Sequence, residues 1–241
     1  GPPRGTPDGA AALAAVPPLT RGTGPAGRAI RSVLGEDAKL SVTLNLHVTH
    51  PDNPESAADL EAVRQIDTIA NEVFLQPMLE GHYPAALLAD TAAITDWSFI
   101  KPGDLELING PLSVLGVNYY SSGRVRKYSG VGERQQADGH GNAAASPWVG
   151  ADDVEFLQQP GPYTAMGWNI DPASFTGLLL AVGGRYPDVP LMITENGAAF
   201  YDEGSADGRV HAAERVEHPS RHLDAGGAAT GARNDGRGHC A

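Results

Sequence analysis

The sequence predicts an α/β fold built on parallel strands, from three observations. Three apolar, β-branched runs recur: "KLSVTLNLHV" at 39–48, "SVLGVNYY" at 113–120 and "PLMITENG" at 190–197. Each is nearly continuous rather than alternating, the pattern of a strand covered on both faces. Segments of helical period separate them, and the order strand, helix, strand, helix, strand is that of βαβ units.

Taken in order, residues 1–27 are rich in Gly, Pro and Ala without a sustained period, and read as an irregular tail. Gly22, Gly24 and Gly27 spell G-x-G-x-x-G. That motif needs a strand before it and a helix after it; here no strand precedes and Pro25 interrupts, so it reads as chance. Regular structure starts near Arg28 with a short helical turn, a Gly35-Glu36-Asp37 break and the first strand. A helix follows, with Ser56 as N-cap and acidic residues in its first turns. Val63, Ile66, Ala70, Val73 and Phe74 recur at helical spacing, so one face is apolar, and the helix is expected to end near Pro77. After the second strand, residues 128–160 read as a long Gly- and Ala-rich excursion. Asp171 with Pro172 at the first helical position opens the next helix, and Gly183 and Gly184 are its expected stop. Beyond about Gly204 periodicity fades, which divides the chain into a 1–27 tail, a 28–203 domain and a 204–241 tail.

Bulk properties exclude several function classes. The net charge of −12 repels phosphate backbones and anionic lipid, so neither nucleic acid nor membrane is an expected partner. The single cysteine, Cys240, cannot form an internal disulfide or a thiolate metal site, and it fits a reducing, cytoplasmic setting. No apolar run is long enough to span a bilayer, and "GPPRGTPDGA" lacks a signal-peptide pattern.

Chemistry is expected where parallel strands end at their C-terminal side. The first run ends at Asn45, Leu46 and His47, the second at Asn118, Tyr119 and Tyr120, the third at Thr194, Glu195 and Asn196. Amides, phenols and a carboxylate at three strand ends make a polar ring suited to a sugar, with Glu195 as the catalytic carboxylate. Trp168, in a loop before a helix, offers a flat face to pyranose C–H groups. Alternation along a strand sends Tyr119 and Tyr120 to opposite faces, and Tyr119 is expected in the core. His47 and His50 fall on opposite strand faces, so no metal is expected there. Trp97 and Trp148 read as structural anchors, and Asp152 and Asp153 as solvated loop charges. Arg124, Arg126 and Lys127 read as a solvated basic cluster, with a phosphorylated sugar as the alternative contact.

These residues resemble family 1 glycoside hydrolases, the β-glucosidase family, and actinobacterial members in particular. "LMITENGAAF" resembles the family's I-T-E-N-G nucleophile motif, and "VLGVNYYSS" its L-G-x-N-Y-Y segment. "TAMGWNIDPASFTGLLL" resembles M-G-W-x-x-x-P, "FLQPMLEGHYP" resembles F-x-x-P-x-x-x-G-x-Y-P, and "KLSVTLNLH" resembles the fifth barrel strand. The resemblance covers about residues 28–203 and implies a (β/α)8 TIM-barrel glycosidase fold, incomplete here, with about strands 5 to 7.

It also implies roles. Glu195 is the nucleophile of a retaining β-glucosidase acting on β-glucosides or short β-linked oligosaccharides, as in cellulose degradation. Tyr120 orients that nucleophile; Asn118, Asn196 and Trp168 bind substrate; no cofactor or metal takes part. Retaining hydrolysis also needs an acid/base carboxyl about 5–5.5 Å away. The family carries it in a T-x-N-E-P motif that this sequence lacks, so the acid/base is unassigned. Two alternatives stand beside this: an inactive or sugar-binding relic, and a β-galactosidase or 6-phospho-β-glucosidase. Three strands leave open sheet edges, which favour pairing into a homo-oligomer. Gly, Ala and Arg rise at both ends, which suggests frame-shifted coding sequence around the middle.

Overall fold

The computed structural model describes residues 9–139, 148–202, 204 and 213–234. Residues 1–8, part of the 128–160 excursion (140–147) and the chain end with Cys240 lie outside the described residues. The chain divides into two units. One comprises 41–48, 112–122 and 159–241; the other holds the remaining residues.

In the second of these, the irregular start expected of residues 1–27 is helical instead: α1 (Gly9–Arg21) and α2 (Thr23–Leu34). Alanine is the best helix former, and one face of α1 finds a core. Leu13 and Val16 pack with Val73, Tyr83, Leu87 and Trp97, and that burial outweighs Pro17 and Pro18 inside the helix. The glycine-rich letters serve packing. A Cβ on Gly24 would lie 2.1 Å from the Leu107 carbonyl oxygen, so close backbone approach demands the glycine.

β1 (Ser41–Asn45) and β2 (Val48–Pro51) follow, then α3 (Ala57–Asp67). The Ser56 hydroxyl accepts the Asp59 amide at 3.3 Å, the expected cap. A π-helical turn over Thr68–Glu72 joins α3 to α4 (Val73–Leu79), so the expected single helix is interrupted, and it runs past Pro77 to Leu79. Ala62, Ile66 and Ala70 bury its apolar face against Val125, Trp148, Val154 and Phe156. Arg64 clamps Asp90 with two bonds of 2.9 and 3.0 Å, tying α3 to α5 (Ala85–Asp90). Trp97 donates its indole N–H to Thr91 at 2.8 Å and Trp148 stacks on Phe156, so both are anchors as expected.

α6 (Asp104–Ile108), β3 (Val114–Asn118), β4 (Ser122–Lys127) and β5 (Val154–Leu157) come next. β2, β4 and β5 form a second sheet that the sequence reading missed, and β5 lies within the supposed excursion. Its buried residues, Val125, Val154 and Phe156, belong to the same apolar cluster as α3. The basic cluster there is paired rather than simply solvated. Arg126 meets Glu155 at 2.5 Å, Arg124 and Arg126 flank Asp52 at 3.6 and 3.8 Å, and Lys127 pairs with Asp153.

The other unit carries α7 (Pro172–Arg185), β6 (Leu191–Glu195), α8 (Ala213–Asn234) and the parallel sheet. That sheet has the order β1-β3-β6, with both pairings parallel. Central β3 is covered on both faces, with Leu115 and Val117 fully buried. β1 alternates exposed with half-buried residues, and in β6 only Leu191 is buried. Two-sided burial was expected of all three; each outer strand has a neighbour on one side among the described residues. The Asp171 carboxylate starts α7 by accepting the Ser174 amide at 3.0 Å and the Ser122 hydroxyl at 2.6 Å. α7 runs through Gly183 and Gly184, because glycine's cost of about 1 kcal/mol does not stop a helix whose Val182 and Gly183 are packed. The 204–241 tail, where apolar periodicity fades, contributes α8, which buries His218, His222 and Ala229. No helix among the described residues is long and apolar enough to cross a membrane.

Candidate active site

Side-chain alternation on β3 builds the site. Leu115, Val117 and Tyr119 are fully buried on one face, and Tyr119 stacks on Phe175 of α7 with centroids 5.0 Å apart. Its hydroxyl donates to the Asp171 carbonyl at 2.8 Å, and burial pushes its phenol pKa far up. Tyr119 is therefore a packing residue, as its place in the strand predicts.

Gly116, Asn118 and Tyr120 occupy the opposite face. A Cβ on Gly116 would stand 2.4 Å from the Thr43 hydroxyl and 2.9 Å from the Thr194 methyl, so these two threonines close over a residue that must be glycine. At the strand end the ladder slips. Val117 pairs with Ile193, but Asn118 pairs with Glu195, so Thr194 is an extra residue on β6. Such a bulge re-aims the side chains beyond it. The Thr194 hydroxyl donates to Asn118 Oδ1 at 2.7 Å, and the Tyr119 amide donates to the Glu195 carbonyl at 3.0 Å.

The bulge delivers Glu195 to Tyr120. The Tyr120 hydroxyl donates to Glu195 Oε2, while Oε1 carries no protein hydrogen bond among the described residues. This bond, more than burial, raises the Tyr120 pKa, because a phenol holds its proton when a carboxylate accepts it. Glu195 is exposed. Trp168 stands beside the pair, its ring 5.6 Å from Tyr120 at 58°. The geometry offers an anchored, accessible carboxylate oxygen next to an aromatic wall, which is what attack on a sugar carbon requires.

The sequence-predicted residues divide by what they touch. Glu195, Tyr120 and Trp168 come together, and Asn118 supports them through Thr194. Asn196 spends its amide N–H on the Tyr119 carbonyl at 2.8 Å, so it ties two strand ends together. Residues that hold the aromatic wall were missed. Thr164 accepts the Trp168 amide at 3.3 Å, and Asn169, bonded to Ser122 at 3.0 and 3.2 Å, fixes the next position. Their signal was the cluster of Ser, Thr, Asn and Asp around Trp168, residues that bond local backbone in turns. Asn45 ends β1 in register with Asn118, but no bond links their side chains among the described residues.

The family model for glycosyl hydrolase family 1 matches residues 2–241, both terminal regions included. The bifunctional β-D-glucosidase/β-D-fucosidase of Bifidobacterium breve is 42% identical over 201 residues, 82% of this chain and 41% of that protein. The psychrophilic β-glucosidase of Micrococcus antarcticus superposes with a TM-score of 0.84 at 36% identity, covering 96% of this chain and 50% of that one. The Thermotoga maritima β-glucosidase in complex with deoxynojirimycin has a TM-score of 0.74 at 29% identity, covering 89% and 43%. The chain thus spans half the length of these relatives or less. With its parallel strands forming part of a (β/α)8 barrel, the chain belongs to glycosyl hydrolase family 1.

Proposed function

We propose that this chain carries the nucleophile half of a retaining β-glucosidase, with Glu195 attacking the anomeric carbon of a β-glucoside. The observation that carries this is the Tyr120–Glu195 bond at the ends of adjacent parallel strands, with Trp168 alongside. Glu195 Oε1 attacks the anomeric carbon as the bond to the aglycone oxygen breaks, giving a covalent glycosyl–enzyme and a departing alkoxide or phenoxide. Tyr120 holds the carboxylate in line through its hydrogen bond to Oε2. Trp168 packs against the aglycone, and Asn118 supports the strand end. β-Glucosides and short β-linked glucans are the substrates that the relatives' names favour. The single cysteine favours a reducing, cytoplasmic setting, and the open edges of β1 and β6 favour pairing with a second copy.

The acid/base partner defines the test. A dinitrophenyl leaving group departs without a proton, so the first step with a dinitrophenyl β-glucoside does not need that partner. The expected outcome is a burst of one dinitrophenolate per chain, with one glucosyl unit on the Glu195 peptide by mass spectrometry and none in Glu195→Gln. Slow turnover after the burst, restored by azide as an external nucleophile, would place the missing function in the second step. Absence of both burst and adduct would refute the nucleophile assignment and leave the sugar-binding reading.

A further inference from the structure

α8 buries two histidines that neither the reaction nor the motifs use. His218 and His222, one helical turn apart, are each 2% exposed, and their rings lie 4.2 Å apart at 30°. His222 Nδ1 is 2.8 Å from the His218 carbonyl oxygen. A carbonyl only accepts, so Nδ1 carries the proton, and in the neutral ring Nε2 is a lone pair. The Nε2 atoms of both rings are buried and have no hydrogen-bond partner among the described residues.

Their surroundings suit uncharged rings. Just past β3, the Tyr119 ring faces His222 at 6.1 Å; from α7, Phe175 faces it at 5.9 Å. Phe200, after β6, faces His218 at 6.0 Å. Two acids lie beside the stack, Asp171 and Glu195. Asp171, at the start of α7, attracts charge on His222, but its oxygens accept from Ser122 and Ser174. Glu195 lines, with His222, Leu223 and Ile193, a cleft of about 260 Å³, and its Oε2 is bonded to Tyr120. On α8 itself, Glu217 pairs with Arg221 and Asp224 is exposed.

We propose that α8 is an acid-released strap: protonation of His218 and His222 undocks it from α7. A proton added to either ring puts a donor on a buried Nε2 that has no acceptor, and two charged rings would repel at their stacking distance. The Thr176 hydroxyl donates to the Ala225 carbonyl at 3.1 Å, a neutral bond between α7 and α8, and Arg215 near the start of α8 pairs with Asp202 at 2.5 Å, a tie outside α7. Burial lowers both pKa values, and the neighbouring imidazole lowers that of His218 further. The unfolded helix therefore binds more protons than the docked one. Docking is complete above about pH 6.5 and is lost as pH falls through the depressed values.

Hydrogen exchange of the full chain, corrected for intrinsic rates and followed by mass spectrometry, tests this without reference to hydrolysis. On acidification below about pH 6, amides of 213–230 are expected to lose at least about tenfold protection, reversibly, while those of α3 keep theirs. The His218→Phe, His222→Phe double variant is expected to hold its protection at the same pH. Unchanged protection of parent α8 in acid, or identical loss in the double variant, would overturn the strap. Should the double variant fail to fold, imidazole titration of the parent by NMR decides. Midpoints that coincide with α8 release support the proposal; free titration near about 6.5 with α8 still protected refutes it.

Discussion

Tyr120 and its neighbour Tyr119 differ in role because they differ in face. Removing the Tyr120 hydroxyl as Tyr120→Phe takes one charge-assisted bond from the carboxylate, worth about 1.5–3 kcal/mol. Glucosylation of Glu195 by the dinitrophenyl glucoside is expected to slow by about 10–100-fold, measured by rapid quench, with the fold intact by circular dichroism. The reverse experiment reads the same bond from the phenol side. Because the Glu195 carboxylate raises the Tyr120 pKa, Glu195→Gln is expected to bring phenolate formation to lower pH in ultraviolet difference titration. The split between the two tyrosines was legible from strand alternation alone. The bond of Asn196 to the Tyr119 carbonyl was not, since an amide beside a carboxylate looks the same in sequence whether it points at a sugar or at a backbone oxygen.

Among the elements, β3 sets the geometry, and Gly116 is its most constrained position. Gly116→Ala places a methyl 2.4 Å from the Thr43 hydroxyl oxygen, and unfolding in urea is expected to show a loss of about 1–3 kcal/mol. Thr43→Ala in the same chain is expected to restore part of it, leaving the clash with Thr194. At the start of α7, Asp171→Ala removes the acceptor of the Ser174 amide and of two hydroxyls. A loss of about 1–2 kcal/mol is expected in the same assay, the upper range for a cap. Strands and helices with unbroken periods were legible: β1, β3, β6, α3 and α7 begin within two residues of where apolar runs and caps put them. α1 and α8 were not, because composition suggested disorder while a few buried residues, Leu13, Val16, His218 and His222, decided the outcome through tertiary packing. β5 was hidden because a four-residue strand inside a Gly-rich stretch leaves too short a pattern to count.

At the scale of the molecule, the sheet β1-β3-β6 presents an unpaired side on each outer strand among the described residues. The 241-residue chain is expected to associate with rising concentration in sedimentation velocity, and Met192→Lys, a charge on an exposed edge position, is expected to shift it toward monomer. A wild-type chain that stays monomeric throughout would show the edges to be protected by other means. The inserted residue at Thr194 reaches further. Side-chain direction along a strand is a parity, and one additional residue reverses it for everything downstream. The aim of the Glu195 carboxylate is thus set by counting rather than by the chemistry of any one neighbour. Substitution at position 194 leaves that count intact. Were the ladder regular instead, with Thr194 paired to Asn118, Glu195 would fall opposite Tyr119 and turn from the open mouth toward the helices behind.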